Sequence, residues 1–175
     1  STGRSRKNFS NRCRIVLTWE SADAPSLPVT GYRVSLSPGD LAVDVDADTT
    51  RAVLRGLTNG QPYDVTVTSL SARGEAASHS IEGVVPMDRP DRVQRPTLKL
   101  KKRGIKVKWE TPDGNGSPTI RYVVSDNRGF SAEVSAERTT LMVRGLDPGR
   151  YRFRITAVNA VGASRPGAWS RRIAW

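Results

Sequence analysis

Trp19 and Trp109 open two copies of one pattern, 90 residues apart. Tyr32 and Tyr122 each follow thirteen residues later. Leu54-Arg55-Gly56-Leu57 and Val143-Arg144-Gly145-Leu146 then lead through a glycine turn to a tyrosine, Tyr63 or Tyr151. A repeat of about 90 residues is too long for a solenoid unit and suits a small β-sandwich domain. The 175 residues therefore divide into two domains, expected at 1–87 and 88–175.

Helical periodicity is nearly absent, and apolar residues recur at every second position. Ile15, Leu17 and Trp19 share one face of a strand, as do Ile105, Val107 and Trp109, with Lys106 and Lys108 opposite. Tyr32 and Val34 point inward on the next strand, matched by Tyr122 and Val124. Ser37-Pro38-Gly39-Asp40 and Asp126-Asn127-Arg128-Gly129 supply hairpin turns. Ala52 and Leu54, or Leu141 and Val143, mark a further strand. Tyr63, Val65 and Val67 pair in pattern with Tyr151, Phe153 and Ile155. Trp169, Arg171, Ile173 and Trp175 are predicted to share one face of a closing strand. The fold class is all-β: two tandem seven-stranded antiparallel sandwiches.

The copies differ in two places. Leu57 to Tyr63 is one residue longer than Leu146 to Tyr151. The second copy has a leading strand, Pro96-Thr97-Leu98-Lys99-Leu100, where the first offers only Arg6-Lys7-Asn8-Phe9-Ser10. The strand around Leu17 is thus expected to be an exposed edge, a feature proteins usually cover or pair. Arg89-Pro90-Asp91-Arg92 reads as a short, semi-rigid linker.

These pieces resemble the fibronectin type III family. The resemblance rests on the tryptophan strand, Gly31-Tyr32-Arg33-Val34, the Leu54 to Tyr63 segment and the run Ala157 to Pro166. It implies a tyrosine corner, in which the Tyr63 or Tyr151 hydroxyl returns to the backbone upstream. It also implies a non-enzymatic structural or adhesive module of an extracellular assembly, in a phage virion (tail or capsid decoration) or on a bacterial surface. Two alternatives stand beside it: accessory spacer domains of a secreted polysaccharide-degrading enzyme, and a cell-adhesion fragment. Localisation is expected to be extracellular, at a cell surface or in a virion.

The residues argue against catalysis, metal and cofactor chemistry, so no catalytic, cofactor or metal residue is assigned. His79 is the single histidine and sits in a polar stretch. Cys13 is the single cysteine; it reads as a small strand residue, with an intermolecular disulfide as the alternative. Asp44-Val45-Asp46-Ala47-Asp48 opens like a calcium loop, but Thr49 and Arg55 stand where such a loop needs glycine and glutamate. A strand with Val43 and Val45 inward explains it better. Arg73-Gly74-Glu75 is the nearest approach to an Arg-Gly-Asp motif. Apolar residues make up 37%, and none of their runs approaches the roughly 18 residues of a membrane span. Ser1 to Arg12 is basic without an apolar stretch behind it, so it does not read as a signal peptide.

Charge separates the two halves. Residues 88–175 hold 19 Lys and Arg against eight Asp and Glu, whereas residues 1–87 hold nine of each. Within the first half the excess is basic over 1–14 and acidic over 15–87. The run Leu98 to Lys108 reads as a hairpin with Leu98, Leu100, Ile105 and Val107 inward. Lys99, Lys101, Lys106 and Lys108 then project outward, joined by Arg144 on a neighbouring strand. Such a face is either solvated edge protection or a docking patch for an anionic partner or a neighbouring subunit. A second basic row, Arg150, Arg152 and Arg154, is predicted on the opposite sheet. Expected partners are other proteins of an assembly or an anionic surface polymer. Nucleic acid is not expected, because no aromatic residues interleave the basic rows. Homo-oligomeric contacts are expected through the N-terminal tail and the exposed first-domain edge.

Overall fold

A computed structural model describes residues 14–21 and 28–175. The chain forms two compact units, Ser1–Pro86 and Met87–Trp175. The described residues form strands and contain no helix.

The first unit contains β1 (Arg14–Thr18), β2 (Val29–Ser37), β3 (Leu41–Asp46), β4 (Arg51–Arg55), β5 (Tyr63–Ser71) and β6 (Gly74–Val84). β1 pairs with β4, and the second sheet runs β3-β2-β5-β6, all antiparallel. Alternation dictates what lies between the sheets: Ile15, Leu17, Ala52 and Leu54 from one face Val34, Leu36, Tyr63 and Val65 from the other. Burying each large aliphatic side chain stabilises the fold by roughly 1.5–3 kcal/mol. Trp19 is only partly buried; it packs edge-on against Tyr32 at 5.5 Å. β3 forms the strand expected of the aspartate run, with Val43 opposite Val34 and Val45 opposite Tyr32, but Val43, read as inward, is exposed on this edge strand and only Val45 is partly buried. Among the described residues β1 has no strand on its other side. The Arg6–Ser10 segment, the basic tail and Cys13 lie outside the described residues.

The second unit contains β7 (Thr97–Lys101), β8 (Gly104–Lys108), β9 (Arg121–Asp126), β10 (Ser131–Ser135), β11 (Thr140–Val143), β12 (Arg150–Tyr151), β13 (Phe153–Asn159), β14 (Gly162–Ala163) and β15 (Ile173–Ala174). One sheet is β11-β8-β7; the facing one is β10-β9-β13-β14, extended by the pair β12-β15. Ile105, Val107, Trp109, Tyr122, Val124, Val143, Phe153 and Ile155 fill the space between them, together with Val93. Trp109 is 3% exposed and meets Tyr122 edge-on at 5.4 Å.

Among the described residues the strand count departs from seven in each half, and in the second half it does so for local reasons. The tyrosine strand splits at Arg152, whose N–H donates to Asn127 Oδ1 (2.7 Å) while its carbonyl accepts from Asn127 N (3.2 Å). The closing strand is broken between Ala163 and Ile173, a stretch that contains Pro166. Two buried serines help to repair the ladder: Ser164 Oγ accepts from Ala157 N at 3.1 Å and Ser170 Oγ from Phe153 N at 2.9 Å. The predicted single face from Trp169 to Trp175 is therefore lost. Ile173 packs inward on the core, while Trp169 lies against the Arg152 and Arg154 guanidinium groups.

The segment read as a linker is bonded into the second unit. Asp88 N donates to Asn115 O, Asp91 N to Asp113 O, and Asn115 Nδ2 to Arg89 O. Asn159, buried at the end of β13, donates through Nδ2 to Asp88 O (2.8 Å), Gly114 O (2.9 Å) and Ser117 O (3.3 Å). Its Oδ1 accepts from Val161 N and Gly162 N. One side chain thus satisfies backbone groups from three segments.

Candidate docking site

The basic hairpin forms because of its turn. Gly104 has φ +147°, a conformation that L side chains rarely adopt, and a Cβ there would collide with Val143 O. Only glycine lets β8 run this close to β11. The ladder then sets Lys99 directly opposite Lys106, Lys101 opposite Gly104, and Lys108 between Thr97 and Thr140. Ile105 and Val107 are fully buried on the inner face, so Lys106 and Lys108 necessarily face outward.

Lys99, Lys101, Lys108 and Arg144 are exposed and Lys106 is half-buried. Arg144 follows Val143, the residue opposite Ile105, and so lies at the Gly104 end of the same sheet. Among the described residues none of the five cations is ion-paired; the ion pairs there are Arg33–Asp44, Arg33–Glu75 and Arg121–Glu133. Like charges directly across paired strands cost roughly 0.2–1 kcal/mol. Among the described residues no carboxylate lies within ion-pairing distance to offset that cost. One inward residue departs from expectation: Leu100 is 54% exposed, because it sits on the outermost strand near its end, beyond the reach of the facing sheet.

The second basic row is built differently. Arg154 stacks on Trp169 at 4.5 Å and Arg152 at 5.1 Å, and Arg152 Nε is sealed from solvent without a hydrogen-bond acceptor. An aromatic ring does therefore interleave this row, contrary to the sequence expectation. The ring is already engaged by two guanidinium groups of the same domain, so Arg152 and Arg154 are braced while Arg150 is exposed. Trp175 is exposed, with its Nε1 donating to Leu146 O at 2.9 Å.

Sequence reasoning missed a groove of about 380 Å³ lined by Arg95, Pro96, Thr97, Leu98, Arg171, Arg172 and Ile173. The irregular closing strand that produces it leaves no period-2 signal. In the first domain, a cavity of about 210 Å³ lies along β1 and β6, lined among others by Leu17, Trp19, Tyr32, Val65, His79 and Ile81. His79 faces Val67 across the β5–β6 ladder. On β2, Arg33 holds Asp44 by two hydrogen bonds of 2.8 and 2.9 Å, which keep that carboxyl below its ordinary pKa.

Both tyrosines return to the chain upstream, with opposite polarity. Tyr63 Oη accepts from Thr58 N at 3.0 Å, whereas Tyr151 Oη donates to Asp147 O at 2.8 Å. The shorter second segment accounts for the exchange, since it brings a carbonyl rather than an amide to the hydroxyl. The family model described as the fibronectin type III domain matches twice, over residues 7–84 and 90–172. The chain belongs to the fibronectin type III family. Chicken sidekick-2 is 44% identical to it over 73 residues, 38% of this chain and 3% of that protein. Chicken tenascin is 28% identical over 163 residues, 87% of this chain and 9% of tenascin. The solved two-domain fibronectin type III segment of chicken tenascin is 20% identical, with a TM-score of 0.46 and 93% of each chain covered. The chain thus spans only a small part of these full-length relatives.

Proposed function

We propose that this tandem is a non-enzymatic adhesion module whose second domain docks an anionic partner through Lys99, Lys101, Lys106, Lys108 and Arg144. The family's place in adhesion and extracellular proteins supports the module, its non-catalytic character and an extracellular or cell-surface setting. The relatives named above are vertebrate proteins and lend no support to a virion setting. The observation that carries the docking assignment is Lys99 paired across the ladder with Lys106 on a face where none of the five cations is ion-paired among the described residues. A face of this kind attracts polyanions at long range, and salt weakens the attraction once it screens beyond a Debye length of about 8 Å.

Retention of the protein on an immobilised dextran sulfate surface tests the assignment. Wild-type binding should fall steeply with added salt. Lys99→Glu combined with Lys106→Glu should lose most of the retention while melting at nearly the wild-type temperature, because both side chains face solvent at least in part. Undiminished retention of the double variant would remove the docking role.

A further inference from the structure

The groove of the second domain borders the lysine face, sharing β7 with it, and is lined by other residues of that chain segment and of the chain entering β15. Its two walls are joined at one end and splayed at the other. Arg92 Nε donates to Pro166 O at 2.8 Å and Ala168 N to Val93 O at 3.4 Å, so the chain entering β7 and the chain entering β15 begin side by side. Gly167 sits where a Cβ would strike Ile155 O and Val93 O, and this keeps the junction tight. Beyond it the walls separate. Arg95 to Leu98 face Arg171 to Ile173 across about 380 Å³ of open space.

Three properties define what fits. First, β7 pairs only with β8 and β15 only with β12, so among the described residues both walls end in strand edges without a ladder neighbour. Second, the floor is apolar: Leu98 and Ile173 pack on the core while remaining partly open, and Leu100 continues the line at 54% exposure. Third, the lining includes Arg95, Arg171 and Arg172, all exposed, and no acidic residue; none of the three is ion-paired among the described residues.

We infer that this groove binds an extended acidic peptide segment, which adds as a strand to the open edge of β7. Alternate residues of an added strand point to opposite sides. One set, apolar, would cover Leu98, Leu100 and Ile173; the other, carboxylate-bearing, would lie on the side of Lys99 and Lys101 and reach the arginines, whose planar forks suit bidentate carboxylate pairing. A sulfated polysaccharide would satisfy the arginines but would neither cover the apolar floor nor pair with the strand edge. The groove thus selects a peptide where the lysine face accepts any polyanion.

The test uses the full chain and a fluorescein-labelled heptapeptide, Val-Glu-Val-Glu-Val-Glu-Val, read by fluorescence anisotropy. Saturable binding is expected. Arg171→Glu combined with Arg172→Glu should weaken it by about tenfold or more, the scale of a lost charge-assisted pair. Lys106→Glu combined with Lys108→Glu, on β8 and so about 10 Å from the added strand, should leave it within about twofold, the scale of a distant screened charge. A peptide of the same sequence with alternate backbone nitrogens methylated cannot complete the ladder and should bind far more weakly. Equal binding by the methylated peptide would overturn strand addition, and equal binding by the arginine variant would overturn the groove as the site. Dextran sulfate retention lost in the arginine variant but kept in the lysine variant would assign the groove to a polysaccharide instead. Failure of the lysine-face assignment alone would leave the peptide result standing.

Discussion

The two tryptophans that open the repeats do not carry equal weight. Trp109 is almost wholly enclosed, whereas Trp19 packs on its core from a partly open position. Trp109→Ala should therefore cost its domain about 3–5 kcal/mol, and Trp19→Ala less, since cavity cost scales with enclosure. Domain-resolved chemical denaturation will rank them; equal losses would contradict the burial difference. Gly104 is the second decisive residue. Gly104→Ala should destabilise the second domain by more than about 1 kcal/mol, because it adds an unfavourable φ to a collision with Val143 O. Asp44 titrates with a sign fixed by Arg33. The carboxyl is depressed in the folded protein, so its contribution is complete above the ordinary carboxylate pKa and lost as pH falls through the depressed value. Both partners are exposed, so the effect is small. The melting-temperature difference between wild type and Asp44→Asn should shrink on acidification and vanish in strong acid.

Among the elements, the end of β13 depends on Asn159. Asn159→Ala strands three carbonyl acceptors and two amide donors, and should cost at least about 3 kcal/mol if each enclosed group loses even part of the roughly 1–3 kcal/mol that an unsatisfied polar group costs. Thermal denaturation will show it, and a near-neutral outcome would mean that water replaces the amide. This hub was not legible in the sequence, because an asparagine closing a strand looks like any loop residue until the segments it joins are known. The regular strands were legible: where Ile105 and Val107 alternate with Lys106 and Lys108, burial follows the period of two. Alternation failed in two kinds of place. At Leu100 the residue has the inward phase, but the strand runs past the facing sheet. From Ser164 to Arg172 serine hydroxyls replace backbone partners, which releases the chain from the pleat and creates the groove. The outward placement of Lys99, Lys101, Lys106, Lys108 and Arg144 was readable because solvent-facing positions of a strand need no knowledge of tertiary contacts. The groove arginines were not, since they come together only through the departure from the pattern.

For the whole molecule, the uneven charge is the property that bears most on function. The second half carries an excess of 11 positive charges and the first half none, so long-range attraction to a polyanion acts on the second domain above all. Within that domain the two basic rows are inequivalent: one has Arg152 and Arg154 braced on Trp169, and the other stands open on β7 and β8. The central claim is that the open row is the docking face. Amide chemical-shift mapping of the full chain titrated with dextran sulfate fragments tests it most directly. The account predicts shifts concentrated at Lys99, Lys101, Lys106, Lys108 and Arg144, fading with salt. Shifts centred instead on Arg150 to Arg154, or spread evenly over both domains, would contradict it.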